Sequence, residues 1–189
     1  MRKIVSFMHI TLDGFVGKPN WEDFSWPKVD EEIFALSSQQ TAQSDTAIYG
    51  RVTFEGMDAY WPTAAEQPGA TEHDIVHSRW YNQVEKVVLS RTLSSDPKRK
   101  IRVISEDVAG AIHNLKQQPG QDMVIFGSPS VVHTLMAHDL IDEYCLMLNP
   151  YLLGEGIPMF KHIQKSELKL LQTKVFENGA VFLRYGRVG

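Results

Sequence analysis

Three short stretches of this chain combine residue types that hold phosphate. In GRVT, Gly50 ends an apolar run, and Arg51, Val52 and Thr53 open a helical segment. The first N–H groups of a helix lack intrahelical partners and favour an anion; Thr53 acting as the cap of that helix is the competing reading. In SRT, Ser90, Arg91 and Thr92 follow the strand-like KVVL. Arginine offers a planar fork of donors to a phosphate monoester, and flanking hydroxyls fill the remaining lone pairs. In GSPS, Gly127 permits a tight turn, Ser128 suits an N-cap, Pro129 suits the first helical position, and Ser130 and Val131 continue the turn. Ordinary capping explains each helix start alone. Together with Arg91 they make three anion sites, the set that a pyrophosphate and a separate 2′-phosphate require.

A fourth stretch, NPYLLGEGIPMF from Asn149 to Phe160, interrupts an apolar strand with Gly154, Gly156 and Pro158. Glycines there allow a bulge or a close backbone approach to a ligand. Glu155 between them faces either that ligand or solvent.

Other chemistries find no pattern. There is no G-x-G-x-x-G after a strand, no G-x-x-x-x-G-K-[ST], no G-x-S-x-G elbow and no H-E-x-x-H. His73 and His77 form an i, i+4 pair without a third ligand and read as exposed helix histidines, so no metal is expected. The single Cys145 lies in the apolar run CLML and reads as a buried, inert thiol.

The elements that must carry these stretches alternate. Strand-like segments recur at Lys3–Ile10, Thr46–Tyr49, Lys86–Leu89, Ile101–Ile104, Met123–Phe126, Glu143–Asn149, Leu168–Phe176 and Val181–Tyr185. Helical faces appear at Val29/Ile33/Leu36 and Val108/Ile112/Leu115, with further helices after Ser128 and around Phe54–Tyr60 and Glu72–Tyr81. Such alternation implies crossover connections. The expected architecture is an α/β three-layer sandwich whose mixed, mostly parallel sheet has about eight strands. Glu177-Asn178-Gly179 is a hairpin signal that makes the C-terminal edge antiparallel. Pro19–Pro27 and Trp61–Gly69 read as loops.

The chain has 189 residues, a formal charge of −4, 43% hydrophobic and 22% charged residues. One domain over residues 1–189 is the simplest organisation. No basic tract exceeds Lys98-Arg99-Lys100, which argues against nucleic acid. No apolar run reaches the length of a membrane span, and the N-terminal stretch lacks the pattern of a signal peptide. A cytoplasmic protein with a small-molecule partner is expected.

The ordered set KIVSFMHITLDGF, AIYGRVTFEGM, KVVLSRTL, VIFGSPSVV and LIDEYCLMLNPYLLGEGIPMF resembles the dihydrofolate reductase fold. Within it, the chain is most similar to stand-alone proteins of the riboflavin-biosynthesis deaminase-reductase C-terminal (RibD C-terminal) domain family. The resemblance implies an NADPH-dependent reductase of a pterin-like or pyrimidine-like heterocycle, akin to the aminouracil reductases of riboflavin biosynthesis. A non-catalytic nucleotide- or heterocycle-binding protein on the same fold is the alternative. By resemblance, Gly50 to Thr53 and Gly127 to Val131 hold the cofactor pyrophosphate, Ser90, Arg91 and Thr92 hold the 2′-phosphate, and the nicotinamide lies near Ile10. Asp30, one helical turn before Phe34, takes the place of the family's acid; as a helix-start residue beside Glu31 and Glu32 it also has a purely structural reading. Asp13, Trp21, Trp26, Phe34 and Glu155 are then candidate substrate contacts, Asp13 being first of all a turn residue and Trp21, Phe24 and Trp26 alternatively a hydrophobic lid. Members of such families often dimerise, and a homodimer is expected.

Overall fold

The computed structural model describes residues 1–19, 25–161 and 163–188. In chain order the elements are β1 (Ile4–Thr11), α1 (Glu31–Ala42), β2 (Ser44–Gly50), α2 (Arg51–Tyr60), α3 (Glu72–Gln83), β3 (Glu85–Leu89), β4 (Ile101–Ile104), α4 (Val108–Gln117), β5 (Asp122–Phe126), α5 (Pro129–Met136), β6 (Glu143–Asn149), β7 (Leu168–Val175) and β8 (Val181–Arg187). The strands form an eight-stranded mixed sheet in the order β4-β3-β2-β5-β1-β6-β8-β7, mostly parallel with an antiparallel edge. All eight expected strands are present, with ends moved by at most a few residues. The stretch Trp61–Glu66, read as loop, is instead a 3-10 turn begun by Pro62. Val29 precedes α1 and is largely exposed, because Asp30 caps the helix and starts it one residue later.

The chain forms two compact units, Met1–Arg2 with Val29–Val124, and Lys3–Lys28 with Ile125–Gly189. In the first, β2 pairs parallel with β3 and with the start of β5, and β3 pairs parallel with β4. Their runs of β-branched residues are buried on both faces, as Ile48, Val87, Val88 and Val124 show. Three of this unit's helices start on a side-chain cap: Asp30 accepts from Ile33, Thr71 and Asp74 form a reciprocal capping box, and Asp107 accepts from Gly110. Buried Lys86 donates to the Tyr81 and Val84 carbonyls at 2.8 and 3.0 Å and so closes the other end of α3.

In the second unit β1 runs parallel to β6, which pairs antiparallel with β8, and β8 with β7. The hairpin turn follows its sequence signal: Gly179 has φ +87°, and the Asn178 side chain accepts the Ala180 N–H at 3.0 Å. Phe7 packs on Phe126 and Phe182 with ring centroids 5.5 and 6.2 Å apart. Buried Glu143 sits between Lys3 at 2.7 Å and Arg184 at 2.6 Å, whose hydrogen bonds and charge hold its carboxyl below the usual range against the cost of burial. Among the described residues no helix is long and apolar enough to cross a membrane.

Candidate functional site

Every stretch singled out from the sequence lies at the carboxyl end of a parallel strand, where open α/β sheets bind ligands. Gly50 ends β2, Ser90 follows β3, Gly127 follows β5, Thr11 ends β1 and Asn149 ends β6. The first unit carries Gly50–Thr53, Ser90–Thr92, Asp30 and Phe34. The second carries Ile10, Asp13, Trp26, Gly127–Val131 and Glu155.

At the start of α2 the N-cap is Gly50, in extended backbone and without a side-chain cap. Thr53 is therefore not the cap; it is the third helical residue and is buried. Arg51 is held by Glu55 at 2.8 Å on the same exposed helix face, and Val52 is exposed. At the start of α5, Ser128 is the N-cap and Pro129 the first helical residue. Both Gly127 and Ser128 are left-handed, at φ +59° and +57°, and Ser128 is buried although its backbone region favours glycine. The Ser128 carbonyl accepts from Val131 and Val132 at 3.0 and 3.1 Å. Ser130 is exposed, and its carbonyl accepts from Thr134.

α2 and α5 thus differ from the other three α-helices. Neither has a side-chain hydrogen bond at its cap or an acidic residue in its first turn, whereas α1, α3 and α4 are capped by Asp30, Thr71 and Asp107. The helix starts expected to take phosphate are those whose donors and dipole are not already offset by the chain's own carboxylates.

After β3, the Ser90 hydroxyl accepts the N–H groups of Thr92 and Leu93, both at 3.1 Å, which folds the SRT turn tightly. Ser90 Oγ and Thr92 Oγ1 lie 3.4 Å apart. Arg91 is exposed and, among the described residues, forms no ion pair.

In the second unit the turn after β1 is laced to the stretch after β6. Leu12 donates to the Tyr151 carbonyl, Val16 to Ile157, Ile157 to Gly17 and Met159 to Gly14, each at 2.8 or 2.9 Å. The Asp13 carboxylate accepts from the Thr11 hydroxyl at 2.6 Å, the Gly154 N–H at 2.8 Å and the Leu153 N–H at 3.1 Å, and the Thr11 hydrogen bond leads in holding its pKa below the ordinary value. Gly156 is required by close approach: a Cβ there would stand 2.7 Å from the Gly17 carbonyl oxygen. Glu155 reaches toward Lys18 at 3.4 Å with its side chain 82% exposed, so the Glu155 carboxylate meets solvent. His133 Nε2 binds the Pro158 carbonyl at 2.9 Å and ties α5 to the same stretch.

Trp26 is buried in the core of its unit, the placement of a structural aromatic. Trp21 and Phe24 lie outside the described residues. Ile10 is buried, and its carbonyl accepts from Asn149 at 3.3 Å. Asp30 is the N-cap of α1, its carboxylate accepting the Ile33 N–H at 2.9 Å. Phe34 stacks on His73, ring centroids 3.9 Å apart and 10° from parallel.

That contact overturns the reading of His73 and His77 as exposed. His77 is 6% exposed and packs 4.0 Å from Trp61 and 5.1 Å from Trp80. Burial pulls its pKa down to about 3, and burial lowers that of His73 as well. Spacing along one helix shows only that two histidines share a face; the aromatic residues covering that face come from α1 and the 3-10 turn. Cys145 is buried, its thiol pushed up to about 12 by desolvation. Among the described residues no cluster of three or more His, Cys, Asp or Glu could hold a metal ion.

One polar pair, Asn149 and His9, carries no local sequence motif. Asn149 is fully buried; its side-chain oxygen accepts the Lys28 N–H at 2.7 Å and its nitrogen donates to the Met147 carbonyl at 2.8 Å. His9 Nδ1 lies 3.5 Å from the same nitrogen. The available signal was a carboxamide closing the apolar strand CLMLN and a histidine inside IVSFMHIT.

Residues 2–182 match the RibD C-terminal domain. The chain belongs to that family. The Bacillus subtilis protein YyaP is 32% identical over 187 residues, covering 97% of this chain and 94% of its own. This RibD C-terminal domain is also similar in fold to a pyrimidine reductase-like protein of Corynebacterium diphtheriae, with TM-score 0.70, 15% identity and coverage of 100% and 92% of the two chains. A dihydrofolate reductase of Enterococcus faecalis complexed with NADP(H) matches with TM-score 0.63, 17% identity and coverage of 99% and 97%. The family member therefore has the dihydrofolate reductase-like fold anticipated from its ordered motifs.

Proposed function

We propose that the chain, acting as one functional domain over residues 1–189, is an NADPH-dependent reductase of a small pterin-like or pyrimidine-like heterocycle. The observation that carries this reading is the contrast among helix starts: of the α-helices among the described residues, only α2 and α5 have neither a side-chain hydrogen bond at the cap nor a first-turn acid. In the first unit Gly50–Thr53 offers N–H donors to a pyrophosphate, and exposed Arg91 with the hydroxyls of Ser90 and Thr92 offers a 2′-phosphate site. In the second, Gly127–Val131 offers the other helix start, and Ile10 borders the nicotinamide end. The donor set is anionic in preference throughout, which fits a phosphorylated dinucleotide. The names of the diphtherial and enterococcal proteins, a pyrimidine reductase-like protein and a reductase complexed with NADP(H), support the same reading.

When bound, NADPH supplies a hydride; the chain must hold it, exclude competing anions and place an acid near the nitrogen on which charge develops. Asp30 is the acid assigned that task, and its N-cap hydrogen bond fixes the carboxylate in one orientation. Edge strand β7 exposes Leu170, Leu171 and Val175, which supports the expected homodimer.

The test is nucleotide titration followed by oxidation of bound NADPH with dihydropterin and 5-amino-6-(5-phosphoribosylamino)uracil acceptors. Saturable NADPH binding with oxidation supports the reading. Tight binding without oxidation assigns the non-catalytic alternative, and failure of NADPH to bind overturns both.

A further inference from the structure

The parallel register sets His9 against Met147 and Thr11 against Asn149, so these four side chains share one face of the second unit's sheet. The orientation of the Asn149 carboxamide is settled by its partners: a backbone N–H meets one atom at 2.7 Å and carbonyl oxygens meet the other at 2.8 and 3.3 Å. The atom facing His9 is hence nitrogen and only donates. The Asn149 nitrogen has two hydrogens: the Met147 carbonyl takes one at 2.8 Å, and the other is shared between the Ile10 carbonyl at 3.3 Å and His9 Nδ1 at 3.5 Å, so the edge facing Nδ1 carries donors only and favours the neutral imidazole with its proton on Nε2. Burial agrees, holding the His9 pKa near 4. His9 as a residue is nonetheless only partly buried, and among the described residues nothing accepts its Nε2–H. A neutral imidazole is therefore favoured in one tautomer by a fully buried amide while its Nε2–H is left without a partner among the described residues, two residues from the strand end at Thr11.

We propose that His9 is a specificity-determining residue for the heterocyclic substrate, offering its Nε2–H to a ring carbonyl oxygen or unprotonated ring nitrogen. This rests on the reductase reading for the identity of the ligand, and on the His9–Asn149 geometry for everything else. A fixed neutral donor selects for an acceptor at that position and against an amino or N–H group there, because two donors facing each other leave both unsatisfied. Asn149 acts through His9 as a positioning residue.

The experiment binds diaminouracil and dihydropterin separately to the NADP-loaded protein, to the protein without nucleotide, and to His9→Phe and His9→Gln. Imidazole nitrogen NMR follows His9 itself. The expected result is a neutral Nε2–H tautomer at pH 7 whose resonance moves when a probe binds. His9→Phe should weaken that probe about tenfold, His9→Gln should recover part of the loss through its amide donor, and NADPH affinity should stay the same in both. Asn149→Leu should move the imidazole toward a tautomeric mixture. A proton on Nδ1, equal probe affinity in His9→Phe, or no binding of either probe at millimolar concentration would each overturn the proposal. Probe binding through His9 without nucleotide affinity would instead overturn the NADPH reading and leave His9 standing.

Discussion

The carboxylate of Asp13 accepts the backbone N–H of Gly154 at 2.8 Å across 141 positions of sequence. With the hydrogen bonds from Leu153 and Thr11, it fastens the turn after β1 to the glycine-rich stretch after β6. Asp13→Asn retains one acceptor oxygen but loses the charge, and should speed amide exchange at Leu153 and Gly154 while leaving core strands protected. Because the carboxyl pKa is lowered, chiefly by the Thr11 hydroxyl, its contribution is complete above the ordinary value of 3.8 and is lost as pH falls through the lower folded value. Unchanged exchange at both amides would remove Asp13 from this role.

Asp30 carries two duties that substitution can separate. Asparagine is as good an N-cap as aspartate, so Asp30→Asn should keep thermal stability and NADPH affinity while lowering turnover. Asp30→Ala should also lose about 1 kcal/mol of stability through the missing cap. Denaturant titration beside steady-state kinetics distinguishes them; full turnover in Asp30→Asn leaves only the capping role.

Arg91 should set the preference between phosphorylated and unphosphorylated dinucleotide. A charge-assisted hydrogen bond to phosphate is worth roughly 1.5 to 3 kcal/mol, so Arg91→Ala should weaken NADPH binding by about ten- to a hundredfold and leave NADH unaffected. Calorimetric titration of both nucleotides reads this, and a parallel loss for NADH would refute it.

The imidazole of His77 makes stability depend on acid. Its folded pKa of about 3 lies below the ordinary value of 6.5, so between those values the unfolded chain binds the proton and the folded chain does not. Stability should be level above pH 7 and fall as pH drops below 6.5, each unit of pKa lowering being worth about 1.4 kcal/mol. His77→Phe keeps a ring against Trp61 and Trp80 and should move the acid midpoint downward. An unmoved midpoint would place the acid sensitivity elsewhere, His9 being the next group to test.

The strands were readable in advance because β-branched runs such as KVVL and DMVIF are buried on both faces and carry their signal locally. The same holds for the Asn178-Gly179 turn and for Pro129 at the start of α5. What stayed hidden depends on partners far along the chain. Asp13 reads as a turn residue until Leu153 and Gly154 arrive from the stretch after β6. His73 and His77 read as surface groups until Phe34 and Trp61 cover them. Ser128 was legible as a cap but not as a left-handed residue, since no local preference would choose serine over glycine there. His9 was inconspicuous because its meaning lies in the fixed orientation of Asn149.

The uncapped starts of α2 and α5 bear on how the purified protein should be handled. Sulfate or phosphate in a buffer would occupy the same N–H groups as a dinucleotide, raising apparent melting temperature while competing with cofactor. Ligand screens run in such buffers would understate affinity, whereas an amine buffer with chloride would leave those donors to the molecule under test.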